Sequence, residues 1–194
     1  MRSILGVVIL ASATSASASS RLETAVLAGG CFWGMEAVFE HVNGVADVVS
    51  GFAGGAAKDA SYVRVSSERT GHAEAVRITY DPRQVSYADL LKIYFAVAHD
   101  PTQVNRQGPD VGPSYRSAIF PQDPRQKAQA QRMIAFLKGK GVRVATRIEG
   151  GGFYPAEAYH QDYVRKHPDA RYVVVNDLPK LEKLKRDYPK WWRR

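Results

Sequence analysis

The sequence predicts an α+β fold of the ferredoxin-like type, a two-layer α/β sandwich in which helices cover one face of a mixed sheet. Two observations predict it. The first six elements follow the order β-α-β-β-α-β, and the helical segments carry apolar residues at i, i+3, i+4 and i+7. A chain of 194 residues suits one compact domain, which we expect to span residues 22–194 and to end in a long irregular C-terminal segment.

Three strands and one helix are predicted in the first half of the chain. Residues 24–28 predict a short buried strand, which ends at Gly29-Gly30. The helix that follows stops at Asn43-Gly44, and its apolar stripe is Met35, Val38, Phe39 and Val42. Residues 45–52 and 73–80 predict the second and third strands.

The second half begins with a helix that Ser86 caps and that runs to about residue 98. The loop of residues 99–114 exceeds usual loop lengths, which is typical of a functional or disordered segment. A strand (116–120), a helix (124–138), a strand (142–148) and one short helix within 155–165 complete the predicted elements.

The N-terminus has the pattern of a secretory signal peptide, residues 1–18. Arg2 precedes the apolar run of residues 4–11, and Ala16-Ser17-Ala18 is an A-x-A cleavage site. The run is shorter than the roughly 20 residues of a transmembrane helix, although an uncleaved anchor is the alternative. We therefore expect an exported protein, periplasmic or secreted, without an integral membrane segment in its mature form.

The formal net charge is +8, a balance that can indicate nucleic-acid binding. Lys and Arg are spread along the chain, however, and only residues 180–194 concentrate them. We favour a solvated basic surface and expect no nucleic-acid partner.

Cys31 is the only cysteine, so no internal disulfide can form. It lies where a strand becomes a helix, and the unpaired N–H groups of a first helical turn stabilise a thiolate. Gly29 and Gly30 allow close approach to the sulfur. The alternative is a small buried apolar residue.

Trp33 lies off the apolar stripe of its helix, which favours a wall facing a substrate. Phe32 extends the stripe by three residues, so core packing is an equal alternative. In the third strand, Glu74 has the same parity as Val76 and Ile78 and points to the apolar side. Desolvation there raises a carboxyl pKa and favours a proton donor, unless the strand end reaches water.

The residues around Cys31 belong to a series of motifs that resembles the peptide methionine sulfoxide reductase A family. The resemblance spans about residues 24–163, and its motifs stand in the family's order. They are Gly30-Cys31-Phe32-Trp33-Gly34, Thr70-Gly71-His72-Ala73-Glu74, residues 99–108, Asp110-Val111-Gly112, Tyr115-Arg116-Ser117, Phe153-Tyr154-Pro155-Ala156-Glu157 and Tyr159-His160-Gln161.

This resemblance implies a role for each site residue. Cys31 attacks the sulfoxide sulfur, and Glu74 hydrogen-bonds or protonates the oxygen. Tyr62 and Tyr115 orient that oxygen, and Asp110 is a further polar group of the site.

Phe32 and Trp33 are implied to form the pocket for the substrate's methyl group. The implied substrate is the S epimer of methionine sulfoxide, in oxidised proteins or free, and the products are methionine and a sulfenic acid on Cys31. We expect a monomer that needs no cofactor and no metal.

The chain departs from the resembled pattern in two places. Many relatives carry resolving cysteines in the C-terminal tail, which here has none, and Ser66-Ser67-Glu68 occupies a stretch that often reads Cys-Ser-Gly. An external thiol reductant is therefore required, whether a thioredoxin-like protein, a glutaredoxin-like protein or a small thiol.

Two other functions compete with this interpretation. In a Cys-His hydrolase, His72, His99 or His160 would be paired with Cys31, but no protease signature surrounds the cysteine. A basic surface-binding or nucleic-acid-binding protein leaves the glycine-flanked cysteine unexplained. A metal site is disfavoured because no histidines form an i, i+4 pair with a Glu.

Overall fold

A six-stranded mixed sheet forms the centre of the protein, whose computed structural model describes residues 22–193. The strands are β1 (Glu23–Gly29), β2 (Val45–Ala53), β3 (Ala73–Tyr80), β4 (Arg106–Gln107), β5 (Asp110–Val111), β6 (Ser117–Phe120), β7 (Arg147–Ile148) and β8 (Phe153–Pro155). The sheet order is β7-β6-β1-β3-β2-β8, and β4 and β5 pair separately. Only the β6–β7 pair of this sheet is parallel, which makes it a mixed sheet as predicted.

The helices differ widely in length. They are α1 (Phe32–Glu40), α2 (Tyr62–Val65), α3 (Tyr87–Ile93), α4 (Pro124–Gly139), α5 (Tyr163–Lys166) and α6 (Leu178–Asp187). A π-helical turn, Tyr94–Ala98, continues α3, and another, Val173–Asp177, leads into α6. Two α-helices begin with side-chain caps: the Ser86 hydroxyl accepts from the Asp89 N–H, and the Asp123 carboxylate accepts from the Gln126 N–H.

The order β1-α1-β2-β3-α3-β6 confirms the predicted β-α-β-β-α-β core, and its four strands lie in the order β6-β1-β3-β2. One face of the sheet packs against the helices, where Leu27 and Ile78 share a core with Met35 and Leu90. The opposite face is lined mainly by small side chains, four of them alanines of β1, β3 and β6: Ala28, Ala73, Ala75 and Ala118.

Three predicted segments differ from the structure. The strand expected over 142–148 is limited to Arg147–Ile148, and the helix expected within 155–165 is divided into a 3-10 turn, Ala158–His160, and α5. The C-terminal segment is not irregular throughout, because α6 places Leu184 in the core. The i, i+3, i+7 spacing of Leu181, Leu184 and Tyr188 is a helical signal that the expectation of an irregular segment overlooked.

The C-terminal end docks on the end of α1, although its concentration of Lys and Arg favours a solvated surface. The Arg193 guanidinium donates to the carbonyls of Glu40 and Val45, at 2.5 and 2.9 Å. The Asn43 N–H donates to the Trp191 carbonyl at 2.7 Å. Arg193 therefore satisfies a carbonyl that the last turn of α1 leaves open.

Within residues 22–193, no helix has both the length and the apolar content to cross a membrane. The predicted signal peptide, residues 1–18, lies outside the described residues.

Candidate active site

Cys31 lies at the junction between β1 and α1, directly before the first helical residue. Gly30 makes this junction possible with a φ of +91°, and a Cβ atom on it would lie 2.5 Å from the Gln107 side chain. Gln107 is itself held by two hydrogen bonds to the backbone of Asp100. The long loop thus packs against Gly30, the residue before the cysteine, and Cys31 itself is 9% exposed.

The thiol of Cys31 is held in its protonated form. Burial raises its pKa well above the usual value, and the negative charges of Glu74 and Asp177 raise it further. The Trp33 backbone N–H opposes them only in part. The N–H groups at the helix start therefore favour the thiolate, but burial outweighs them and the net effect is a raised pKa.

Glu74 lies near the start of β3, opposite Phe52 of β2, and is 3% exposed. Its Oε2 atom accepts a hydrogen bond from the Phe32 N–H at 3.0 Å. Burial raises the pKa of this carboxyl to about 8, with smaller increases from Asp110 and Glu68. The carboxyl is mostly neutral at pH 7, which agrees with the prediction from strand parity. No residue in the described range bonds its Oε1 atom.

Three further predicted residues reach this site from separate segments. Burial is the main cause of the raised pKa values of Tyr62 and Tyr115. The charges that Glu74, Cys31 and Asp110 carry when ionised raise these values further. Both hydroxyls therefore stay protonated, and the Tyr62 ring packs on His160 with centroids 4.5 Å apart. Burial also raises the pKa of Asp110, which accepts a hydrogen bond from the Tyr172 hydroxyl.

Phe32 and Trp33 differ in their environments. Phe32 is fully buried, with its ring centroid 4.9 Å from that of His160. Trp33 is half-buried and stacks on Tyr163 at a centroid distance of 3.6 Å, and its Nε1 atom donates to His160 Nδ1 at 3.2 Å. The orientation of Trp33 is therefore set by α5 and the turn before it.

Sequence reasoning missed three of the residues that complete the site. Tyr163 stacks on Trp33, Tyr172 meets Trp33 edge-on, and Asp177 is fully buried near Cys31. The Asp177 carboxylate packs against Gly34, where a Cβ atom would lie 2.1 Å from Oδ1. All three come from the C-terminal segment that was expected to be mostly irregular.

The three histidines of the hydrolase alternative are engaged elsewhere. His72 Nδ1 accepts from the Gly55 N–H, His99 Nδ1 bonds the Tyr94 carbonyl, and His160 Nδ1 accepts from Trp33. Throughout residues 22–193, no histidine bonds Cys31.

Comparison with known proteins identifies the family. A family model described as peptide methionine sulfoxide reductase matches residues 23–191. The chain belongs to the peptide methionine sulfoxide reductase family. A peptide methionine sulfoxide reductase MsrA 2 from Synechocystis is 55% identical over 170 residues, 86% of this chain and 79% of that protein.

Solved structures of this family agree with the fold. Mxr1 from Saccharomyces cerevisiae in reduced form aligns with a TM-score of 0.72 and 34% identity, over 78% of this chain and 89% of that chain. Mxr1 in complex with Trx2 aligns with a TM-score of 0.51 and 26% identity, over 75% and 86% of the two chains.

Membership of the peptide methionine sulfoxide reductase family confirms the predicted enzyme class. The protein reduces methionine sulfoxide. The hydrolase and the surface-binding or nucleic-acid-binding alternatives are thereby replaced.

Proposed function

We propose that this enzyme reduces the S epimer of methionine sulfoxide, free or in oxidised proteins, with Cys31 as nucleophile and Glu74 as acid. One observation supports this most strongly. The only cysteine lies buried at the start of α1, and the N–H of the next residue, Phe32, holds a neutral carboxyl beside it. A nucleophile and an acid are thus placed on adjacent elements.

In the proposed first step, Cys31 Sγ bonds to the sulfoxide sulfur while Glu74 gives its proton to the sulfoxide oxygen. The thiol proton passes to the Glu74 carboxylate, so the acid ends in its starting form. The substrate's S–O bond breaks as the oxygen bonds to Cys31 Sγ, and the bond between Sγ and the substrate sulfur then breaks to release methionine. Methionine sulfur gains two electrons, and Cys31 loses two as it becomes a sulfenic acid.

The protonated hydroxyls of Tyr62 and Tyr115 donate hydrogen bonds to the same oxygen as its charge develops. Phe32 and Trp33 line the pocket for the methyl group. Asp110, held by Tyr172, is the further polar group beside the substrate.

Recycling of Cys31 uses an external thiol. The sulfenic acid condenses with one thiol to form a mixed disulfide and water, and a second thiol releases Cys31 with formation of the reductant's own disulfide. We propose a thioredoxin-like reductant, because a structure of the related Mxr1 contains Trx2. Glutaredoxin-like proteins and small thiols are the competing reductants.

Single-turnover measurements test this function. Enzyme mixed with excess S-epimer peptide and no reductant should release one methionine per enzyme and acquire one oxygen atom on Cys31, read by mass spectrometry. Cys31→Ser should release none. More than one methionine per enzyme, or activity in Cys31→Ser, would refute the role of Cys31. Separate additions of thioredoxin, glutaredoxin and a small thiol then show which one restores turnover.

We also propose that residues 1–18 direct export and are removed, and that the mature enzyme is a monomer. The N-terminal sequence of protein recovered from a periplasmic fraction tests removal after Ala18. Light scattering tests the monomer.

A further inference from the structure

Glu68 joins the two segments that carry Tyr62 and Tyr115. It ends the turn after α2, where its N–H donates to the Val65 carbonyl at 2.9 Å. Its carboxylate reaches across 46 residues of sequence to Ser114: Oε2 accepts from the Ser114 N–H at 2.8 Å, and Oε1 accepts from the hydroxyl at 2.7 Å. Ser114 is 3% exposed and directly precedes Tyr115.

These bonds satisfy a group that the local backbone leaves open. Pro113–Tyr115 is a single 3-10 turn, in which the first N–H groups have no acceptor. Pro113 has no N–H, so the Ser114 N–H is the first that needs a partner. The residue before the turn is Gly112, which has no side chain to serve as a cap. Glu68 supplies the acceptor from a distant segment.

The backbone conformation of Glu68 is unfavourable for glutamate, whereas its side chain makes favourable contacts. Its φ of +62° lies in the left-handed region, which favours glycine over a residue with a Cβ atom. The carboxylate also contacts Gly112, since a Cβ atom on that glycine would lie 2.4 Å from Glu68 Cδ. Glutamate is thus unfavourable for the turn itself but well matched to the loop before Tyr115.

We propose that Glu68 is a positioning residue for the reduction step, fixing the backbone at Ser114 and thereby the place of the Tyr115 hydroxyl at the sulfoxide oxygen. The inference rests on the proposed role of Tyr115. Misplacement of a reacting group by 1 Å can cost about 100-fold in rate, so a partial shift of Tyr115 has a measurable effect.

Glu68→Gly separates this role from simple support of the fold. The variant removes both bonds to Ser114 and also the unfavourable φ. We expect Tm to change little, because the loss of the two bonds and the relief of the unfavourable φ oppose each other, while the single-turnover rate constant at saturating substrate falls about tenfold. The substrate concentration at half-saturation should change little, because the Tyr115 bond matters most in the transition state. Glu68→Gln, which keeps one acceptor oxygen, should recover most of the rate.

Asp59→Asn is the matched control, because this carboxylate lies in a short helical turn just before α2 and, among the described residues, pairs only with the exposed Arg64. It should leave the rate unchanged. An unchanged rate in Glu68→Gly, or an equal loss in Asp59→Asn, would overturn the inference.

A double-mutant cycle tests whether Glu68 acts through Tyr115. We expect Glu68→Gly to cost less than about twofold in a Tyr115→Phe background, since the hydroxyl that it positions is absent there. The same tenfold loss in both backgrounds would overturn the inference while leaving the role of Tyr115 intact. A normal rate in Tyr115→Phe alone would instead refute the proposed function of Tyr115, and the inference with it.

Discussion

Replacing Glu74 by glutamine is predicted to slow the reaction and to stabilise the fold at alkaline pH. The amide has nearly the same shape, and its oxygen can still accept the hydrogen bond from the Phe32 N–H. What it loses is the acidic proton. Because the change preserves packing and the backbone contact, its effects report on the proton and the charge of Glu74.

The expected loss of activity follows from general acid catalysis, which typically contributes about 10²- to 10⁴-fold. This corresponds to an activation barrier higher by roughly 3–5 kcal/mol. An amide N–H can still donate to the sulfoxide oxygen, which places the expected loss nearer 10²-fold.

The expected gain in stability follows from the raised pKa of Glu74. Its folded-state pKa of about 8 exceeds the ordinary glutamate value of 4.5, so folding favours the neutral carboxyl. The stability contribution is complete below about pH 4.5 and is lost as pH rises to 8. Between pH 5 and 8 the wild-type enzyme loses roughly 3–4 kcal/mol through this group, because each pKa unit corresponds to about 1.4 kcal/mol, and the glutamine variant does not.

Single-turnover methionine formation and urea unfolding at pH 5 and pH 8 measure the two effects. The quantity to compare is the difference in free energy of unfolding between variant and wild type at each pH. This difference cancels the contributions of Glu36 and Glu40, whose pKa values burial also raises, to about 8 and about 7. Activity near wild type would refute the acid role. If the free energy of unfolding of the variant differs from that of the wild type by the same amount at pH 5 and pH 8, the argument from desolvation is refuted.

Three further predictions concern the framework of the site. Gly34→Ala should lower the free energy of unfolding by about 1–3 kcal/mol in urea titrations, because the new methyl group meets Asp177, whereas Gly139→Ala, with open space around it, should not. Arg193→Ala should cost roughly 1 kcal/mol in the same assay by releasing the end of α1, and an unchanged midpoint would show that this contact adds nothing. Trp33→Phe should raise the KM for a sulfoxide peptide several-fold with little change in kcat, because a pocket wall contacts the substrate equally in the ground state and the transition state. A loss confined to kcat would contradict this.

Local sequence patterns were sufficient for the core and for the central pair of site residues. The apolar period of α1 and the glycines before it place Cys31 at a helix start. Strand parity places Glu74 on the buried side of β3. Both features depend on neighbours within a few residues, so periodicity carries them directly.

Tertiary structure alone decided the surroundings of these two residues. Trp33 bonds a histidine 127 residues away, and Asp110 bonds Tyr172, 62 residues away, which no local period encodes. The protonation state of Cys31 could not be predicted from the sequence either. A helix N-terminus by itself favours a thiolate, but burial and the nearby carboxyls Glu74 and Asp177 raise the thiol pKa more strongly. Desolvation depends on everything that packs around an atom, and only the folded chain assembles that environment.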